Sequence, residues 1–286
     1  MEKGLVKEEL ILTDFTHVKA NASFKKTSRY LAAHEATDYM ERLDIYEAQE
    51  RARLEASGAI KPQRAGRVKK EKTEVQRTIN TTDPDAGMMH RPGKPVGMHY
   101  LSHQSVDAAY GIVVDVAVTP GNANDSEPYL ERIEYMCSHL GLKIKTVSAD
   151  SAYGTSLICQ TLHERGIRLY TPKATGGITY KVEFRREELK YQQEKASFLC
   201  PAGKELTLRS LEREHYNICR TYRADRKDCR ICPMLSQCVS DSHRSRSIRV
   251  NIFEEAVKKQ RERDGTPLHR QILKQRQIWC EGSFAA

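Results

Sequence analysis

Val147-Ser148-Ala149-Asp150-Ser151-Ala152-Tyr153-Gly154 reads as a strand that ends on a carboxylate and runs into a turn of small residues. The strand occupies residues 142–149, where Ile144 and Val147 supply β-branched side chains. On either side, residues 127–140 and 155–165 carry helical patterns, and residues 167–170 make a short strand before Pro172. Upstream, residues 73–83 suit a strand. Residues 96–106 and 112–119 read as two strands joined by a turn at 107–111, and Val113-Val114-Asp115-Val116-Ala117-Val118 is the clearest of them. Three early strands followed by alternating helices and strands predict an α/β fold with a mixed sheet.

The flanks read differently. Apolar side chains at Leu31, Tyr39, Met40, Leu43, Tyr46 and Leu54 predict a helix over residues 31–58, ending at Gly58. Lys61, Arg64, Arg67, Lys69, Lys70 and Lys72 then form a basic linker, a solvated spacer first and a DNA contact second. Residues 173–250 lose clear periodicity and hold most of the cysteines; residues 253–263 and 268–284 return to helix, with Pro267 at a helix start. The expected organisation is a helical N-terminal segment with its linker (1–72), a core (73–172), a cysteine-bearing insertion (173–250) and C-terminal helices completing the core (251–286).

A net charge of +9 and a pI near 9.1 make a polyanion a natural partner without identifying one. No run of eighteen apolar residues is present, which argues against a transmembrane helix, and the first ten residues lack the apolar centre of a signal peptide. The expected location is the cytoplasm, so the eight cysteines are read as thiols or metal ligands before disulfides.

Two segments put aspartates at strand ends: Asn80-Thr81-Thr82-Asp83-Pro84-Asp85-Ala86, and the stretch around Asp150. Pro84 ends the first strand by removing an amide donor. Carboxylates at neighbouring strand ends can share two magnesium ions about 3.5–4 Å apart, which activate water and stabilise a leaving oxygen. Read alone, each aspartate is more often a turn former or a helix cap.

Taken in order, Thr81-Thr82-Asp83-Pro84-Asp85-Ala86, Gly97-Met98-His99-Tyr100, Val118-Thr119-Pro120-Gly121-Asn122-Ala123-Asn124-Asp125-Ser126 and Ala149-Asp150-Ser151-Ala152-Tyr153-Gly154 resemble the core of DDE-type transposases of bacterial insertion sequences. The resemblance covers roughly residues 75–286. It implies an RNase H-like fold, catalytic Mg2+ or Mn2+, and hydrolysis then strand transfer on double-stranded DNA at transposon ends and target, performed by a homodimer. Carried over, Asp83 matches the first catalytic aspartate, with Asp85 its competitor, and Asp150 the second. Glu281, in Arg276-Gln277-Ile278-Trp279-Cys280-Glu281, matches the third ligand, and Arg276 would contact a phosphate. Asp107 and Asp125 also match recurrent family positions, with structural roles expected of both.

Cys229-Arg230-Ile231-Cys232 has the two-residue spacing of zinc ligands. With Cys200 and Cys238 it can form a structural Zn2+ site, Cys219 being the reserve ligand. Similar Cys-Pro and Cys-x-x-Cys-Pro elements occur in the related transposases. Four unrelated thiols are the plain alternative; a redox pair lacks its strand–helix setting. Cys137, Cys159 and Cys280 are expected to pack. His99 and His103 alternate onto one strand face, where a histidine is more often packed than a ligand.

The sequence ends five residues after Glu281, earlier than the family pattern, and its N-terminal side is short. The expectation is a truncated or inactive copy whose last helix frays. The rival reading is a non-catalytic, zinc-stabilised DNA-binding regulator, and a third is a related RNase H-like nuclease.

Overall fold

The computed structural model describes residues 6–33, 37–62, 74–91, 93, 96–173, 184–239 and 244–282. Most of the basic linker read from residues 61–72 therefore lies outside the described residues, as do residues 283–286. The chain divides into two units: Met1–Glu41, Lys69–Lys173 and Glu255–Ala286 form the first, and Arg42–Val68 with Ala174–Glu254 the second. In chain order the elements up to residue 170 are β1 (Leu10–Lys19), β2 (Thr27–Ala33), α1 (Asp38–Ala56), β3 (Glu74–Asn80), β4 (Gly87–Met89), β5 (Gly97–Asp107), β6 (Val113–Pro120), α2 (Tyr129–Ser138), β7 (Thr146–Ser148), α3 (Ser156–Glu164) and β8 (Arg168–Tyr170).

The first unit is built on a mixed sheet with β1 at its centre. β1 runs antiparallel to β5, with Asp14 opposite Gln104 and Val18 opposite Tyr100. On its other side β1 is parallel to β7, with Leu12 opposite Ser148, and β7 is parallel to β8. The outer edge of β5 is shared by β6, over Tyr100 to Val106, and by β4, over Gly97 to His99. This corrects the expectation that the core begins at residue 73 after a helical N-terminal segment. Ile11 and Leu12 point to opposite faces and both are fully buried, which is the burial of a strand inside a sheet with both faces covered. The helix read over 31–58 is also shorter. Residues 27–33 pair with β3 as a two-stranded ribbon, and α1 begins at Asp38.

One face of the sheet carries the aromatic set Phe15, His103, Tyr153 and Tyr129, with Tyr129 coming from α2. α3 buries Leu157, Ile158 and Leu162, and its N-cap Thr155 accepts from Ile158 N. Each of these apolar side chains contributes about 1.5–3 kcal/mol when buried.

The second unit holds an antiparallel sheet of β9 (Lys190–Gln192), β10 (Ser197–Leu199), β11 (Glu205–Glu214), β12 (Asn217–Ala224) and β13 (Ser247–Asn251), in the order β13-β12-β11-β10-β9. Two short helices, α4 (Arg226–Arg230) and α5 (Leu235–Cys238), join β12 to β13. Its core is Leu189, Phe198, Leu206, Tyr222, Ile248 and Val250. The chain returns to the first unit through α6 (Glu254–Arg261) and α7 (Pro267–Arg276). Pro267 stands at the start of α7 as expected, behind the N-cap Thr266. Ile272 of α7, with Cys280 beyond it, packs on Leu12, Val106, Ala108 and Tyr170. α7 thus covers the face of β1 that carries Leu12 and Asp14, opposite the face carrying Phe15.

Candidate active site

Asp14 and Asp150 are each two residues past the paired positions Leu12 and Ser148 on adjacent parallel strands. That register brings Asp150 close enough for its charge to act on Asp14. Asp14 accepts from its neighbour Phe15 N at 2.9 Å, and Asp150 caps the turn after β7 by accepting from Ser151 N at 2.6 Å. Burial pushes the Asp14 carboxyl above the usual carboxylate range; the Arg276 guanidinium opposes this, and the Asp150 charge adds to it. A cation placed between the two aspartates would relieve both the burial and the repulsion.

Arg276 Nη1 donates to Asp14 Oδ2, and the two side chains are only 7% and 14% exposed. Past Arg276 the helix widens into one π turn, Gln277–Glu281. In an α-helix, residues five apart lie roughly 140° from each other around the axis. Bonding from i to i+5 narrows that angle, so the π turn changes the direction of Glu281 relative to Arg276. The Cys280 thiol, fully buried, is raised to about 12 by burial, and the charges of both Asp14 and Glu281 act on it. Glu281 itself is exposed.

The turn between β5 and β6 braces this helix end. Gln275 Nε2 donates to Ala108 O, and the Trp279 ring lies against Gly111 so closely that an added Cβ would sit 2.3 Å from it. Gly111 also has φ +69°, so no other residue suits this position well. Asp107 holds the same turn by accepting from Ala109 N and Tyr110 N, each at 3.1 Å. Asp125 pairs with Arg91 at 2.9 Å. Both have the structural roles expected of them.

Asp83 lies elsewhere. Its backbone N–H and that of Thr82 donate to the buried Asn80 side chain, which folds the segment into a turn. Its carboxylate accepts from the Tyr100 hydroxyl at 2.6 Å, an interaction that pushes the Tyr100 phenol up to about 12. Tyr100 is opposite Val18, four residues along β1 from Asp14, or roughly 13 Å. The aspartate beside Asp150 is Asp14; Asp83, expected as the first carboxylate, lies apart from that pair, and its competitor Asp85 is exposed. Asp14 carries little signal in the sequence, being a single acid between Thr13 and Phe15 inside a strand.

His99 and His103 are both buried, as packed residues on one strand face. Burial holds His103 below the ordinary histidine range. Its Nδ1 lies 3.2 Å from the Tyr153 hydroxyl and its Nε2 2.9 Å from Thr119 Oγ1, tying β5 and β6 to the turn that follows Asp150.

Among the described residues no three histidine, cysteine, aspartate or glutamate side chains are grouped so as to hold a metal ion as they stand. The carboxylates of Asp14, Asp150 and Glu281 are hard oxygen donors of the kind that suits magnesium or manganese. In the second unit Cys200, Cys229, Cys232 and Cys238 line one pocket, while Cys219 is on β12 and does not. Among the described residues no helix is long and apolar enough to cross a membrane.

No curated protein and no solved structure matches the chain. One family model does, over a segment that begins just before Cys200 and takes in Glu281, though not Asp14 or Asp150. Residues 199–286 match the family described as Transposase DDE domain.

Proposed function

We propose that this chain is a DDE transposase whose catalytic carboxylates are Asp14, Asp150 and Glu281, set on an RNase H-like sheet. The observation that carries the reading is the placement of Asp14 beside Asp150 on adjacent parallel strands, on the face covered by the helix that ends in Glu281. The central position of β1, antiparallel on one side and parallel on the other, agrees with the fold that the resemblance implies. The family match at residues 199–286 supports the transposase reading, and the matched segment includes Glu281.

Magnesium or manganese, when bound, supplies Lewis-acid activation of the attacking oxygen and stabilisation of the leaving one. The protein's part is to hold three carboxylates in place. Asp14 is fixed by its strand and by Arg276, Asp150 by its own turn, and Glu281 by the π turn locked against Gly111. Water serves as the nucleophile for hydrolysis at the transposon end, and a 3′-hydroxyl for joining to target DNA. Neither step needs a covalent enzyme intermediate. The basic balance of the chain favours duplex DNA as partner, bound in the cytoplasm by a homodimer.

A second reading has one observation in its favour: Asp14 is satisfied by Arg276, and no three-ligand group is assembled among the described residues. On that reading the chain is a zinc-stabilised DNA-binding regulator without nuclease activity. Incubation with magnesium and a duplex carrying the DNA that flanks the gene separates the two. Strand cleavage lost in Asp150→Ala supports the transposase. Salt-sensitive binding with no cleavage by either protein supports the regulator.

A further inference from the structure

We propose that Cys200, Cys229, Cys232 and Cys238 bind one structural zinc ion that staples α4 and α5 to the β10–β11 turn. The four cysteines come from two places in the chain and line the same pocket. None of the four is held in a disulfide.

The local backbone on each side has the form of a metal-binding turn. After β10 the chain doubles back at Cys200: Gly203 N donates to Cys200 O at 2.8 Å, and Lys204 N donates to Cys200 Sγ at 3.3 Å. On the other side Cys232 N donates to Cys229 O at 3.1 Å, a tight turn that sets these two side chains on one side of the chain, and Leu235 N then bonds Cys232 O. Gly203, at φ +72°, makes the first turn possible.

The need for a staple follows from packing. α4 has five residues and α5 four, too short to hold as helices by themselves. Between them they bury one side chain, Cys229. The sheet has its own apolar core, but the segment running through α4 and α5 contributes little to it beyond Cys229 and Leu235. A tetrahedral tetrathiolate site would fix that segment without an apolar core of its own. As they stand the sulfurs are not gathered on one point, and closing on the ion takes side-chain rotations inside the pocket. The Arg246 guanidinium, which donates to Cys238 O at 2.9 Å, would offset part of the negative charge of four thiolates.

The test uses the full chain expressed with zinc present and measured by elemental analysis. The expected result is one zinc per chain, near-complete loss in Cys200→Ser and in Cys232→Ser, and full retention in Cys219→Ser. Cobalt replacing zinc should give the absorption of tetrahedral thiolate coordination. Should the serine variants fail to fold, alkylation of the wild-type chain decides: Cys200, Cys229, Cys232 and Cys238 should be protected until a chelator is added, with Cys219 indifferent to it. No bound zinc, alkylation unchanged by chelator, or zinc retained by both Cys200→Ser and Cys232→Ser would overturn the proposal. None of these outcomes depends on nuclease activity, so the site stands or falls apart from the transposase reading.

Discussion

The Asp14 carboxylate and the Arg276 guanidinium join the central strand of the sheet to the helix that carries Glu281. Both partners are nearly out of solvent, so the pair acts as a structural tie rather than a surface contact. Its strength depends on both charges being present. Removing one leaves the other buried without a partner, which costs about 3–5 kcal/mol, against the 0–1 kcal/mol of an exposed pair.

Arg276→Ala should therefore lower the midpoint of thermal unfolding sharply, while Lys145→Ala, which breaks the exposed pair with Glu9, should do so little. Calorimetry on the two variants checks the order. Equal effects would mean that the Asp14–Arg276 contact is not held in solution.

Gly111→Ala introduces strain at a positive φ and a clash with Trp279. Together these should cost about 1–3 kcal/mol and displace the helix end that bears Glu281. Trp279 is the only tryptophan in the chain, so its fluorescence reports the displacement directly. The expected outcome is a shifted emission maximum with a fall in metal-dependent cleavage of about 10²-fold. An unchanged spectrum would place Trp279 away from the turn.

The raised Asp14 carboxyl sets a pH dependence. A proton and a divalent metal compete for that carboxylate, and the folded protein holds the proton to higher pH than an ordinary aspartate does. Affinity for manganese should rise with pH until Asp14 is ionised, with its acid limb displaced above the usual aspartate range. For stability without metal the sign follows the raised value, because burial outweighs the opposing Arg276 charge. The Asp14 contribution is fully present below the unfolded-state pKa and is lost as pH rises through the raised folded one. Titration calorimetry with manganese across roughly pH 4 to 8 checks the first expectation; affinity that is flat with pH would contradict it.

His103 behaves in the reverse way. Its folded-state pKa is lowered by burial, so its contribution to stability is present above the unfolded-state value and is lost as pH falls through the folded one. Replacing His103 with Gln, which keeps polar contacts to Tyr153 and Thr119 within reach, should make unfolding less sensitive to acid. Denaturant midpoints measured at neutral and mildly acid pH test this. An equal acid loss in both proteins would assign the sensitivity to other groups.

Much of the first unit was legible in the sequence. Residues 96–106, 112–119, 155–165 and 167–170 appear close to where period and propensity put them. β1 was not, because a strand covered on both faces loses the alternation that marks half-buried strands, and its partners lie far along the chain. That loss also hid Asp14. The cysteine-bearing region read as aperiodic for a different reason. A register shift between Leu208 and Ser210 in β11 moves Leu211 out of phase with Leu206 and Leu208, so the period-two signal cancels within one strand. Asp150 could be read because it follows its strand, and Glu281 only through the resemblance, since a π turn leaves no pattern in the residues.

The most direct measurement compares Asp14→Asn and Asp83→Asn in magnesium-dependent cleavage of the flanking DNA, with folding of each variant checked by circular dichroism. The expected result is loss of about 10²–10³-fold or more in Asp14→Asn and near-wild-type cleavage in Asp83→Asn. Cleavage that survives in folded Asp14→Asn but disappears in Asp83→Asn would contradict the assignment and return the first carboxylate to the turn beside Tyr100.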